Sequence, residues 1–203
     1  MQKLKYGLIA VFPLVLSACN ISKVNLAYCP ASTQGSYTSK TLKVGKVYDD
    51  RFNHGNLTND PREIGEFSWT QSIAPKIYYG VTPVTNTIQT VLHMSLNQAG
   101  YHLTSVHPDR VLFTRVDDID VHVESKDNQA RILFAKFDVN FAVTDKYEKV
   151  LWRKTILGEG SIDIAGDGKT CIRSQCVKTV VNRALDDMVL QLEKDPGFNK
   201  ALR

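Results

Sequence analysis

Nowhere does the 203-residue sequence hold an apolar run long enough to cross a bilayer as a helix. The clearest such run, Tyr6 to Leu16, falls well short of the about 20 residues required. Nor does one sign of charge dominate, since 25 Lys and Arg face 21 Asp and Glu and the two signs alternate along the chain. A nucleic-acid binder concentrates basic charge on one stripe or helix face, so nucleic acid is not an expected partner. Catalytic signatures are missing as well. There is no Gly-x-Ser-x-Gly elbow for a nucleophile and no Cys-x-x-Cys redox pair. His54, His93, His102, His107 and His122 show no paired metal-ligand spacing. Gly168-Lys169-Thr170 ends like a phosphate-binding loop, but Asp163 stands where its first glycine belongs. Asp163 and Asp167 lack the spacing and terminal glutamate of a calcium hand. Asp117, Asp118 and Asp120 read as solvated acids on a bulged strand rather than as an acid and base pair. The expectation is a non-enzyme with no catalytic, cofactor-binding or metal residues.

What the chain does have is Cys19. It closes Leu16-Ser17-Ala18-Cys19, directly after the apolar run, which itself follows Lys3 and Lys5. A basic start, a short apolar core and small residues before a cleavage point make a secretory signal peptide over residues 1–18. A cysteine at the first mature position makes it a bacterial lipobox, with Cys19 the lipidation site. One acyl chain holds a protein only marginally and two or more hold it stably, so a triacylated Cys19 anchors the chain without spanning the membrane. Asn20 is not the aspartate that retains such proteins in the inner membrane, which points to the periplasmic face of the outer membrane. Loss of residues 1–18 removes two lysines and no acid, lowering the net charge from +4 to +2.

Residues 19–40 read as a lipidated terminus and flexible tether, because Ser, Thr, Gln, Gly and Pro30 leave few large apolar side chains to order them. A domain over residues 41–203 follows. Leu42, Val44 and Val47 mark a first strand, ending at Asp49-Asp50-Arg51, with exposed Arg51 placed to lock the polar loop that runs on to about Ser72. A short strand, Ile73 to Tyr79, carries Pro75, which suits a sheet edge or a strand start. Thr82 and Pro83 open a helix whose Val84, Ile88, Val91, Leu92 and Leu96 recur at helical spacing until Gly100. Leu133, Ala135, Phe137, Val139, Phe141 and Val143 then alternate with Lys136, Asp138, Asn140 and Thr144, the period-two signature of a sheet covered on one side. In the preceding strand the apolar phase flips between Val116 and Ile119, and a bulge near Asp117-Asp118 restores it. A third strand runs from Val150 to about Ile164. A closing helix carries Val177, Val180, Val181, Ala184, Leu185, Met188 and Leu192, halted by Asp195-Pro196-Gly197. The expected fold is α+β: strand, helix, three-strand antiparallel meander, helix, with both helices packed on one face of an antiparallel sheet.

With Cys19 lipidated, Cys29, Cys171 and Cys176 remain in an oxidising compartment. A local disulfide between Cys171 and Cys176 is the simplest pairing, and it leaves Cys29 free or bridged to another chain.

The lipobox, the segment Val44-Gly45-Lys46-Val47-Tyr48-Asp49-Asp50-Arg51 with Ile64-Gly65, and the helix from Pro83-Val84-Thr85-Asn86 to Leu96-Asn97-Gln98-Ala99-Gly100-Tyr101 together resemble the YajG-like lipoproteins of Gram-negative bacteria. The resemblance implies a compartment and a fold more than an activity. A similar layout occurs in auxiliary lipoproteins of lipid-transporting ABC systems, which would need an apolar groove between helix and sheet. The expected role is a lipid-anchored, non-catalytic periplasmic lipoprotein that binds or assembles an envelope component, its partners being the outer membrane and an envelope protein, cell-wall or lipid component.

Overall fold

A computed structural model describes residues 22–28, 30, 39–51, 60–67, 76–125, 131–164 and 173–203. These form seven strands and three helices: β1 (Ser22–Val24), β2 (Leu42–Asp49), β3 (Glu63–Phe67), β4 (Lys76–Gly80), α1 (Val84–Gln98), β5 (Arg110–Ser125), β6 (Arg131–Asp145), β7 (Val150–Ile164), α2 (Arg173–Lys194) and α3 (Pro196–Ala201). The fold is mixed α+β with two sheets, one ordered β2-β5-β6-β7 and the other β1-β4-β3.

The sheets are not purely antiparallel. β5, β6 and β7 are antiparallel neighbours, but β2 runs parallel to β5 and β1 runs parallel to β4. Parallel pairing requires a crossover, and the stretch from β3 through α1 supplies it for β2 and β5. The second sheet was not expected. β3 lies inside the anticipated loop because Glu63-Ile64-Gly65-Glu66-Phe67 is too short and mixed to show an alternation, and β4 is the central strand of its sheet.

The large sheet obeys its period. Leu133, Phe137, Val139, Phe141 and Val143 are fully buried and Ala135 nearly so. A register shift between Val116 and Asp118 provides the bulge that returns Ile119 and Val121 to the buried face. Helix α1 lies against β2, α2 against β6 and β7, and the helices touch one another. All seven apolar positions anticipated for α2 are fully buried. Close approach of α2 depends on Gly158 and Gly160: a Cβ on either would sit 2.4 Å from the carbonyl oxygen of Ala184 or Val180.

Two helix ends differ from expectation. Thr82 does not cap α1; the N–H of Val84 donates to the Pro61 carbonyl at 3.0 Å, so the chain before β3 supplies the cap. At the far end Gly100 takes φ 84°, and the Tyr101 N–H donates back to Leu96. Asp195-Pro196-Gly197 ends α2 and also starts α3. Asp195 Oδ1 accepts from the Phe198 N–H at 2.8 Å, with Pro196 at the first helical position. Phe198 is then buried against Tyr101 and Trp152.

The tether expected over 19–40 is corrected at its start. Val24 is 1% exposed and Leu26 is buried, and the Tyr28 hydroxyl donates to Asp186 at 2.6 Å and lies 3.2 Å from Ser95. Two apolar side chains spaced by two, followed by a tyrosine with a buried polar partner, suffice to seat a three-residue strand.

Candidate binding surface

Among the described residues, the side of the large sheet facing away from the helices is open. On β6 it presents Phe134, Lys136, Asp138, Asn140 and Ala142. The register sets opposite them His122, Asp120, Asp118, Arg115 and Phe113 of β5, and Ser161, Glu159, Leu157, Thr155 and Arg153 of β7. Charge divides along this face. The half nearer the β6–β7 hairpin carries Lys43, Lys46, Arg115 and Arg153 with the exposed aromatics Tyr48 and Phe113. The other half carries Asp118, Asp120, Glu124, Asp138 and Glu159 around a single Lys136.

In the basic half, Tyr48, Phe113 and Ala142 wall a depression of about 200 Å³ that Arg115, Asn140 and Arg153 also line. Arg115 is engaged, its Nε 2.7 Å from Asp117 and its Nη1 3.5 Å from Asp50. Asn140 donates to Thr155 at 3.1 Å. Arg153 makes no ion pair among the described residues. A guanidinium between aromatic walls suits a carboxylate or phosphate borne on an apolar group, and the volume fits a side chain or headgroup rather than a large cofactor.

In the acidic half a wider depression, about 360 Å³, is lined by His122, Glu124, Phe134, Lys136, Glu159 and Ser161. The imidazole of His122 stacks on Phe134 with ring centroids 5.7 Å apart. Its Nε2 is 3.0 Å from Glu124, and its Nδ1 is 3.0 Å from Asp120. His122 lies half-exposed on the polar phase of β5. Asp117 is tied to Arg115, and Asp118 accepts from the Ile119 N–H at 2.9 Å, as acids of a bulged strand. Among the described residues no cluster of three or more His, Cys, Asp or Glu is placed to hold a metal ion.

Two polar knots hold this surface in place. Arg51, expected to be exposed, is 7% exposed and locks the chain from inside. It reaches Asp49 through both carboxylate oxygens at 2.8 and 2.7 Å, and the Glu63 carbonyl at 2.7 Å, joining β2 to β3. Along β7 the outward backbone groups are taken by α2. Gln191 donates to the Leu157 carbonyl, Asp187 accepts from the Glu159 N–H, and Arg183 donates to the Ser161 carbonyl. An open edge is a template for strand addition, and α2 closes the middle of this one. The face, not that edge, is left for a partner.

Of the residues singled out by sequence, Cys19 and Cys171 lie outside the described residues, as do His54, Asp167 and Gly168-Lys169-Thr170. Cys176 sits fully buried in the first turns of α2 and is disulfide-bonded, with its partner also outside them. Sequence reasoning missed the Phe113, Tyr48 and Arg153 grouping. The signal was there in the odd phase of β5, but four strands must be in register before the residues meet.

No family model matches the sequence. No curated protein resembles it in sequence. Among solved structures, a protein from Xanthomonas campestris described under the family DUF330 is similar, with a TM-score of 0.54 at 12% identity over 89% of this chain and 96% of that one. This likeness is one of fold. A minor lipoprotein from Acinetobacter baumannii gives a TM-score of 0.43 at 13% identity, over 79% and 92% of the two chains. A hypothetical protein from Chlamydia trachomatis gives 0.48 at 9% identity, over 83% and 99%. The YajG-like resemblance thus rests on the sequence segments that carry it.

Proposed function

We propose that the protein is a non-catalytic lipoprotein of the Gram-negative envelope, anchored through Cys19 at the periplasmic face of the outer membrane, that binds an envelope component on its open sheet face. The observation that carries this is the asymmetry of the sheet: one face is sealed by helices, while the other displays Tyr48 and Phe113 beside an Arg153 that makes no ion pair among the described residues. No helix among the described residues is long and apolar enough to cross a membrane, which agrees with anchoring by lipid. The auxiliary role in an ABC-type lipid transport system needs an apolar groove between helix and sheet. Gly158 and Gly160 instead bring α2 into contact with β7, so the structure gives that role no support. Cys171 is the proposed disulfide partner of Cys176, fixing where α2 begins.

The test places a photo-crosslinking residue at Tyr48, at Phe113 or at Leu190, which is exposed on α2, in intact envelopes. A discrete adduct from the two sheet positions and none from Leu190 supports binding on the open face. Adducts of equal yield from all three sink it. Labelled palmitate should enter the parent and not Cys19→Ser, and equal incorporation into both overturns the anchor.

A further inference from the structure

The chain joins the fold almost as soon as the lipidation site is passed. Ser22–Val24 pair with β4, Val24 and Leu26 are buried, the Asn182 amide lies 3.4 Å from the Ala27 carbonyl, and Tyr28 is bonded to Asp186. If Cys19 carries the lipid, which rests on the reading above, only Asn20 and Ile21 lie between it and Ser22, a distance of three residue steps. A chain extends at most about 3.6 Å per residue, so the acylated residue stays within about 11 Å of β1.

The fold fixes where that is. Tyr78, the register partner of Ser22, also pairs with Gly65. A Cβ on Gly65 would lie 2.8 Å from the Val121 carbonyl, so β1 belongs to the end of the molecule where the second half of β5 pairs with the first half of β6. The β6–β7 hairpin is at the other end. From Ala135, the partner of Val121, to Asp145 is ten residues, about 33 Å of strand. That is three times the reach of the anchor.

We propose that the domain stands directly on the bilayer, with the surface around Ser22 and Lys23 against the lipid headgroups, and that the hairpin points away from the membrane. Charge favours this posture. Lys23 is exposed beside the anchor, where it suits an anionic bilayer. The depression formed by Tyr48, Phe113 and Arg153 is thereby held off the membrane, within reach of a periplasmic partner.

The test uses the full-length acylated protein in vesicles of phosphatidylethanolamine and phosphatidylglycerol that contain nitroxide-headgroup lipid. A fluorescent amino acid replaces either Lys23 or Tyr147, both exposed. Quenching at position 23 should exceed that at 147 by at least about threefold. An insertion of about 20 Gly and Ser residues between Asn20 and Ile21, spanning about 25 Å on average, should abolish the difference. Equal quenching at both positions in the parent overturns the proposal: strong at both, the domain lies flat; absent at both, it hangs on a tether. Flotation and palmitate labelling of the same samples separate the two readings. A parent that floats with equal quenching defeats the posture alone. A parent that takes no palmitate and does not float defeats the Cys19 anchor and the posture with it.

Discussion

Along β6 the side chains that point toward α2 and those that point away live in different media, one residue apart. Phe137 and Phe141 are fully buried, whereas Lys136 is exposed and Asp138 and Asn140 are half-buried. The two faces share a backbone, so what separates them is only what packs on top. A helix covers one face because two glycines on β7 let it come close. Nothing among the described residues covers the other face, and its side chains meet water, each other or a partner.

The largest effect should come from hollowing the covered face. Truncating Phe137 or Phe141 to Ala removes a buried aromatic and should cost about 3–5 kcal/mol. Chemical denaturation reads this directly, and a loss below about 1 kcal/mol at both positions would mean the face is not a packed core. The next largest should come from prising the layers apart. Gly160→Ala puts a methyl 2.4 Å from the Val180 carbonyl and 2.7 Å from the Ala184 nitrogen, both backbone atoms that cannot swing aside. Overpacking of this kind costs about 1–3 kcal/mol. Hydrogen exchange should show α2 amides losing protection before those of β5.

This contrast was legible in the chain because it is local. The period-two run from Leu133 to Val143, the flipped phase on either side of Asp117-Asp118 and the 3.6-residue stripe of α2 each lie within a single segment and need no partner to be seen. What was not legible depends on distant segments meeting. The cap on α1 is the carbonyl of Pro61, a group that every residue carries and that no sequence marks. β1 looks like tether because its three residues gain stability only from β4 and α2. The aromatic and arginine depression needs β2, β5, β6 and β7 aligned, and the parallel pairing of β2 with β5 is a choice of topology that alternation leaves open.

The covered side is not wholly apolar, and Glu193 measures how much polarity it tolerates. Burial alone pushes its carboxyl up to about 7, and its Oε1 has no hydrogen-bond partner among the described residues. Around it, Asn199 donates to its backbone carbonyl at 2.7 Å, and Tyr28 is near enough to feel its charge. A folded-state value above the unfolded one means a contribution present below about pH 4.5 that is lost as pH rises through 7. Because half of the group is screened by solvent, its worth is on the order of 1 kcal/mol. Glu193→Gln should therefore flatten the fall in stability between pH 5 and 8, measured by denaturant midpoints across that range. A slope unchanged from the parent would show that Glu193 is solvated.

The smallest effect, and the one that most sharpens the contrast, belongs to the open face. Asp138 stands opposite Asp118 in the register, and like charges directly across a strand pair are unfavourable by about 0.2–1 kcal/mol. Its carboxyl is raised by burial first and by Asp117 next, and Oδ1 accepts no hydrogen bond among the described residues. The sign follows from the raised value: the neutral form suits the fold, so the charged form costs stability at neutral pH and ceases to do so as pH falls toward the ordinary carboxylate range. Asp138→Asn should thus raise the melting temperature by about 1–2 °C at pH 7, with the gain fading by about pH 4. A loss comparable to that of Phe137→Ala would mean the face is built inward, against a layer of structure rather than a solvent-facing surface, and the partner surface would have to be sought elsewhere on the molecule.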